Sequence, residues 1–270
     1  MTHPLAVQDS LRRIIQVEKP PERIVSLVPS LTETLFAFGL RDRIVGVTDY
    51  CTEPAGEVAQ KTKVGGTKKP HRERILRLNP DLVIMNAEEN RREDAEYLEN
   101  HGLTLYVTFP KTVGEGIELM RTLAKLTGTL KAAEEILGPI EEAYREALSR
   151  VRRGPPVKVF CPIWKKPYMS FNSETYVDNF ITLCGGQNLF KDRAERYFKV
   201  TLEEVVLGNP EVILLPDEPY KFSEADRVDF QNFPEISAVK TGRVHRIDGK
   251  LISWYGPRIQ EGLRTLRRLF

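Results

Sequence analysis

The sequence predicts an α/β protein of two similar lobes joined by one long helix, and three observations carry that prediction. Short β-branched runs alternate with helical segments in both halves. A helix, an Asn-Pro pair and an apolar strand follow one another once in each half. Between the halves, one long segment carries apolar residues at helical spacing. Alternating strands and helices bury their apolar faces best as helices packed on parallel strands, and self-similarity across the halves implies one architecture used twice.

The elements follow in order. RIVSLVP, Arg23 to Pro29, reads as a strand ended by proline, and Ser30-Leu31-Thr32-Glu33 has the spacing of a helix capping box. The helix from Leu31 to Phe38 stops at Gly39, and Ile44 to Val47 supplies the next strand. Glu73 to Leu78 reads as a helix terminated by Asn79-Pro80, because proline disfavours helical geometry in the residue before it, and a strand from Asp81 to Met85 follows. A polar helix from Arg91 to Asn100, a strand from Leu103 to Val107 and a helix near Gly116 to Leu126 complete the first lobe.

From Thr129 to Arg152 the positions Ala133, Ile136, Leu137, Ile140, Tyr144, Leu148 and Val151 recur every three or four residues. Gly138-Pro139 could bend this helix, and Arg153-Gly154-Pro155-Pro156 stops it. The pattern then restarts with a strand Val157 to Cys161, a helix near Thr175 to Leu183, a helix near Leu202 to Leu207 and a strand Val212 to Leu215. Arg243 to Ile247 reads as a strand, and Pro257 opens a basic amphipathic helix to Phe270. The expected division is a first lobe over 1–128, an inter-lobe helix over 129–153 and a second lobe over 154–270.

The internal echo is Glu73-Arg-Ile-Leu-Arg-Leu-Asn79-Pro80-Asp81 against Glu203-Glu-Val-Val-Leu-Gly-Asn209-Pro210-Glu211. Both place a glutamate six residues before the asparagine, near the start of a short helix. Glu204 stands three residues after Thr201 and can serve as its capping partner, which leaves Glu203 to face outward. Read from the residues alone, both glutamates can simply be favourable charges at helix N-termini.

Composition narrows the function classes. Forty basic against 38 acidic residues give a net charge of +2, which provides no general attraction for nucleic acid. Cys51, Cys161 and Cys184 are odd in number and far apart, unlike a disulfide framework. His3, His71, His101 and His245 lack paired spacing, so no side-chain metal site and no intrinsic cofactor are expected. MTHPLAVQDSLRR has Asp9 and Arg12 where a secretory signal needs an apolar run, so the chain reads as soluble and without a signal segment. There is no GxSxG elbow, P-loop or HExxH, and no catalytic residue is assigned.

RIVSLVPSLTETLFAFGLRDRIVGVTDYC, KVGG, RERILRLNPDLVI, LCGGQNLF and AVKTGRVHRID, in that order and spacing, resemble the helical-backbone (class III) substrate-binding proteins of ABC importers, especially their cobalamin-binding branch. The resemblance runs from about Asp9 to the last helix. It implies two Rossmann-like lobes with central β-sheets, a single spanning helix, and a ligand held between the lobes with little hinge motion. It also implies that Glu73 and Glu203 each dock one lobe onto arginines of a membrane permease, that the protein is a monomer, and that it works in the periplasm or outside the membrane if a signal was trimmed. If the chain is the native full-length product, a cytoplasmic place is implied instead.

The ligand loops implied by that fold contain Tyr50, Gly65-Gly66-Thr67, Asn86, Trp164, Tyr168, Met169, Tyr197, Trp254, Tyr255 and Arg258. Flat aromatic faces suit a corrin or a siderophore, large chelates that need enclosure by apolar surface and a few orienting polar contacts. Thr67, Asn86 and Tyr197 stand where the cobalamin binders often carry tryptophan, so cobalamin leads while other corrinoids, haem and ferric siderophores stay open. Two other readings stay open as well: an intracellular corrinoid carrier or sensor without a transporter, and a two-lobed transferase.

Overall fold

A computed structural model describes residues 5–151 and 155–270. His3 and the Arg153-Gly154 part of the expected helix stop lie outside the described residues. The chain divides into two compact units, Met1–Pro110 with Glu115–Gly138, and Lys111–Gly114 with Pro139–Phe270.

The first unit opens with an antiparallel hairpin of β1 (Leu5–Gln8) and β2 (Ile14–Val17). The Asp9 carboxylate fixes its turn, accepting from the amides of Leu11 and Arg13 at 2.9 and 3.0 Å. Then come β3 (Ile24–Ser26), α1 (Pro29–Ala37), β4 (Ile44–Val47), α2 (Ala55–Val58), β5 (Thr62–Lys63), α3 (Arg72–Arg77), β6 (Leu82–Asn86), α4 (Arg92–Asn100), β7 (Leu105–Thr108) and α5 (Val113–Thr127). The five strands form a parallel sheet in the order β5-β4-β3-β6-β7. Every residue of β3, β6 and β7 is buried, as expected for a parallel sheet covered on both faces.

The 21-residue α6 (Leu130–Arg150) starts in the first unit and ends in the second, and it continues through Pro139. Its buried positions are Ala133, Leu137, Ile140, Ala143 and Ala147, whereas Leu148 of the expected stripe is exposed. The stripe therefore turns after Ile140 onto small alanines, which let neighbouring backbone approach closely, and Tyr144 rests half-buried with its hydroxyl where a side chain on Gly114 would stand.

The second unit contains β8 (Val157–Phe160), β9 (Met169–Phe171), α7 (Tyr176–Leu183), β10 (Gly186–Asn188), β11 (Tyr197–Lys199), α8 (Leu202–Gly208), β12 (Val212–Pro216), α9 (Glu224–Gln231), α10 (Ser237–Lys240), β13 (Val244–Ile247), α11 (Lys250–Ser253) and α12 (Ile259–Leu266). Its parallel sheet runs β10-β8-β12-β13, and β9 pairs antiparallel with β11 outside it. Five phenylalanines, Phe160, Phe190, Phe198, Phe222 and Phe230, build the core on one side of this sheet.

The two sheets share a plan: β4-β3-β6-β7 corresponds to β10-β8-β12-β13 in spatial and in chain order. Both are Rossmann-like, with strand order reversing beside the first strand. The echo is a matching junction down to single atoms. Asn79 and Asn209 both adopt left-handed geometry, with φ of 43° and 48°, which asparagine tolerates better than other side-chain-bearing residues. Pro80 and Pro210 are buried. The Asp81 carboxylate accepts from the amides of Glu22 and Arg23 at 2.8 and 3.0 Å, and Glu211 accepts from the amide of Lys158 at 3.0 Å, so each acid clips its junction to the first strand of its sheet.

Two local expectations need correction. The Ser30–Glu33 capping box does not form; α1 begins at Pro29 behind Val28, because proline already has helical φ and lacks the amide a cap would satisfy. Ser30 thus lies in the first turn with its hydroxyl buried and unpartnered. The last helix starts at Ile259 rather than Pro257 and gives way to a 3-10 turn, Arg267–Leu269, because the Gly262 amide reaching the Arg258 carbonyl at 2.9 Å sets the first turn beyond the proline.

Candidate functional site

In open parallel sheets the strands' carboxyl ends deliver loops to one side, and ligands bind there. In the first unit these loops follow β4, β5 and β6; the first two carry Tyr50, Gly66 and Thr67, and Asn86 is the last residue of β6. They are tied together by backbone and amide contacts. The Asp49 amide donates to the Gly65 carbonyl at 2.9 Å, and Asn90 Nδ2 donates to the carbonyls of Thr67 and Leu27 at 3.0 and 3.2 Å. Gly65 has φ +91°, and a Cβ there would meet the Lys69 carbonyl oxygen at 2.9 Å, so the turn requires glycine.

A Cβ on Gly66 would stand 3.3 Å from Tyr50 Cε2, so the bare glycine leaves room for the tyrosine ring, which is 64% exposed. Tyr50, Gly66 and Thr67 therefore share one rim. Asn86 is different: it is buried, its Oδ1 accepts from the amides of Glu88 and Glu89 at 2.7 and 3.1 Å, and its Nδ2 donates to Thr108 Oγ1 at 3.3 Å. Its side chain builds the β6 loop from beneath.

In the second unit Trp164 and Tyr168 lie on the loop between β8 and β9, which closes on itself through the Met169 amide donating to the Trp164 carbonyl at 3.1 Å. Trp164 is 44% exposed and packs edge-on against Tyr220, with centroids 5.7 Å apart. Tyr220 meets Phe222, which stacks with Tyr168, so an exposed indole is backed by a continuous aromatic column reaching the core. Met169 and Tyr197, on paired strands, line a cavity of about 560 Å³ with Arg193, Phe198 and Lys199. A larger cavity of about 700 Å³ lies beside α7 and β10 and contains none of the sequence-predicted residues.

Trp254, Tyr255 and Arg258 occupy the turn between α11 and α12. Trp254 is buried and donates its indole N–H to Glu218 Oε1 at 2.5 Å, while the cations of Lys250 and Arg258 approach its ring to 5.4 and 5.6 Å. Tyr255 packs edge-on against Tyr176, and Arg258 pairs with Asp248 at 3.7 Å.

Burial pushes the Glu218 carboxyl above the usual glutamate range, and the hydrogen bonds from Trp254 and Ser253 pull it part of the way back. A raised folded value means that the folded protein holds this proton more tightly than the unfolded chain. The associated stability is present below the unfolded value and is lost as pH rises through the folded one. Trp254 fluorescence, isolated in a Trp164→Phe protein, is expected to titrate with a midpoint above that of an ordinary glutamate, and Glu218→Gln to remove the transition. A flat profile with Glu218 intact would refute the assignment.

Glu73 and Glu203 are each the second residue of their helices, α3 and α8, and both are exposed. Their surroundings differ. Glu73 accepts a hydrogen bond from the Tyr97 hydroxyl, and the Arg72 guanidinium lies 4.4 Å from the Tyr97 ring. Thr201 and Glu204 form the expected capping box, but Glu203 is engaged locally as well, since its own amide and the Thr201 hydroxyl hold its carboxyl below the usual glutamate range.

Among the described residues, no group of three or more His, Cys, Asp or Glu side chains is placed to hold a metal ion, and no helix is long and apolar enough to cross a membrane. All three cysteines are buried and free, and burial pushes Cys161 and Cys184 up to about 12. Sequence reasoning missed one cluster beside the Trp164 loop. Lys165 Nζ contacts Asp226 at 2.6 Å and Asp229 at 2.8 Å, and Tyr168 donates to Asp229 at 2.7 Å. Lys165 and Asp226, like Tyr168 and Asp229, stand 61 residues apart, and no local spacing announces them.

A family model described as periplasmic binding protein matches residues 24–251. The vitamin B12-binding protein of Vibrio cholerae serotype O1 is 26% identical over 247 residues, covering 92% of this chain and 88% of its own length. The solved structure of periplasmic vitamin B12 binding protein BtuF of Vibrio cholerae aligns with a TM-score of 0.83 at 24% identity, over 93% of this chain and 96% of that one. YvrC of Bacillus subtilis (strain 168), an uncharacterized ABC transporter substrate-binding lipoprotein, is 28% identical over 270 residues, covering 97% and 84%. The periplasmic heme-binding protein RhuT of Roseiflexus sp. RS-1, in apo form, aligns with a TM-score of 0.80 at 25% identity, over 92% and 97%.

Proposed function

The chain belongs to the periplasmic binding protein family, and from that premise we propose that it is the cargo receptor of an ABC importer, taking a cobalamin-like corrinoid or another large metal chelate. The observation that carries this reading is the aromatic, glycine-relieved surface at the carboxyl ends of both sheets: Tyr50 beside Gly66 in one unit, and Trp164 on its aromatic column in the other. Exposed rings on rigid loops offer flat apolar area at small entropic cost, which suits a planar macrocycle. Thr67, Met169, Tyr197 and Arg258 complete the proposed contact set, with the buried Trp254, Tyr255 and Asn86 supporting it from behind.

The family premise supports the rest. Glu73 and Glu203, at matching places on two matching units, are the docking contacts for permease arginines. The lobes correspond to 1–128 and 154–270, with 129–153 as the backbone helix, and the receptor acts as a monomer on the extracytoplasmic side. Its reaction with cargo is binding and release, without a catalytic step or a resident cofactor.

Titration with cyanocobalamin, cobinamide, haem and ferric siderophores, followed by absorbance and tryptophan fluorescence, tests the cargo class. One chelate class is expected to bind saturably at one equivalent with unchanged chemistry. Turnover of a ligand, or binding of none, would overturn the reading.

A further inference from the structure

The Lys165 cluster occupies a position that the receptor reading leaves unexplained. Lys165 follows Trp164 on the β8–β9 loop, its side chain is 13% exposed, and its ammonium meets two carboxylates of α9. Asp226 is 10% exposed and also accepts from the amide and the hydroxyl of Ser223, both at 2.7 Å, so the acid that holds the lysine is itself fixed by the start of α9. Asp229 holds the lysine and the Tyr168 hydroxyl together. Both carboxyls are held below the usual aspartate range by these partners, despite burial.

We infer that Lys165 is a positioning residue, which staples the Trp164 loop to α9 through Asp226 and Asp229 and thereby fixes Trp164 as a platform for cargo. Backbone hydrogen bonds close the loop, from the Ile163 amide to the Met169 carbonyl at 2.9 Å and from the Met169 amide to the Trp164 carbonyl at 3.1 Å, while Lys165 and Tyr168 tie it to α9 through their side chains. Trp164 is partly exposed and packs edge-on against Tyr220, so the orientation of its ring follows the position of the loop that carries it. Lys165 and Tyr168 bracket the loop, and both end on Asp229. A partly buried ammonium shared by two carboxylates is a directional constraint, because moving the lysine would leave both acids without their counter-charge. Receptor affinity depends on such preorganisation, since a platform that must be ordered during binding weakens the complex by the cost of ordering it.

The inference rests on the proposed cargo site, and its test separates the two. Protein labelled with 5-fluorotryptophan has two ¹⁹F resonances, one for each tryptophan, assigned with Trp164→Phe. Without ligand, Lys165→Met is expected to broaden or split the Trp164 resonance and leave that of Trp254 sharp, with Lys165→Arg restoring a single line. In cyanocobalamin or haem titrations, whichever binds the unaltered protein, Lys165→Met is expected to weaken affinity about tenfold, mainly through faster release. Lys165→Arg should recover most of it. A sharp, unshifted Trp164 line and unchanged affinity in Lys165→Met would overturn the staple. If Lys165→Met fails to fold, Asp229→Asn is read in the same way, because it keeps the Asp226 contact and loosens the shared end. Failure of the unaltered protein to bind any chelate would strike the cargo reading alone, since the ligand-free ¹⁹F spectra still decide whether Lys165 fixes the loop.

Discussion

Charge reversal at both Glu73 and Glu203 is expected to abolish stimulation of the importer's ATPase while cargo affinity stays within about twofold of the unaltered protein. Close interfacial charge pairs couple by roughly 1.5–7 kcal/mol, and reversal replaces attraction with repulsion at two places, so a loss beyond about a hundredfold in docking follows. The two sites should not contribute alike. Glu73→Lys also removes the acceptor of the Tyr97 hydroxyl and places a cation next to Arg72. Glu203→Lys removes a carboxylate held by its own amide and by Thr201, and puts a cation at a helix N-terminus that favours negative charge. Glu73→Gln and Glu203→Gln separate charge from shape. ATPase stimulation in proteoliposomes, beside cargo titration of the same variants, measures both effects; full stimulation by the double reversal would remove the docking assignment.

Gly262→Ala should be among the most damaging small substitutions in the second unit, at about 3 kcal/mol, the upper end of ordinary overpacking costs. A Cβ at Gly262 would run into the carbonyl oxygen of Leu251 and lie 2.7 Å from Phe180 Cζ, so α12 could no longer rest on α11 and α7. Backbone cannot yield as a flexible side-chain end can. The turn between α11 and α12 carries Trp254, Tyr255 and Arg258, so the same change should weaken cargo binding as well as stability. Thermal unfolding is expected to drop by roughly 6–12 °C. Gly138→Ala is the control, because a Cβ there meets nothing within 4 Å and a helix interior favours alanine.

Much of the fold was legible because its signals are local. Asn-Pro junctions, β-branched runs and the Thr201–Glu204 spacing each fix backbone geometry within a few residues, and the structure places α3, β6, α8 and β12 close to where these signals put them. The echo was legible for a deeper reason: left-handed asparagine, buried proline and an acid that clips the neighbouring strand form a unit with few substitutes. Ser30 misled because a capping box and a proline-initiated helix share residue types, and the proline decides. The stripe of α6 held at Ala133, Leu137 and Ile140 and misled only beyond them, because helical spacing stands out most in large apolar residues, whereas there the alanines Ala143 and Ala147 are buried and Leu148 is exposed.

The site was less legible. Sequence placed Tyr50, Gly66 and Thr67 on loops of one side, but the partnership of Tyr50 with Gly66 depends on a ring filling the space of a missing side chain. Nothing in the local pattern marked Asn86 as an internal brace, Glu218 as the partner of Trp254, or Lys165 as the hub of two aspartates. The Asn86 brace is local, reaching the amides of Glu88 and Glu89, but asparagine before a loop is too common to announce it; the Glu218 and Lys165 contacts join segments distant in the chain and are set by the fold rather than by spacing.

Hydrogen–deuterium exchange with and without the bound chelate tests the central claim most directly. Bound cargo is predicted to slow exchange in the loops after β4 and β5, in the Trp164 loop and in the turn between α11 and α12, and to leave the amino-terminal ends of both sheets unchanged. Protection confined to other surfaces, or to the flank beside α7 and β10, would contradict the account.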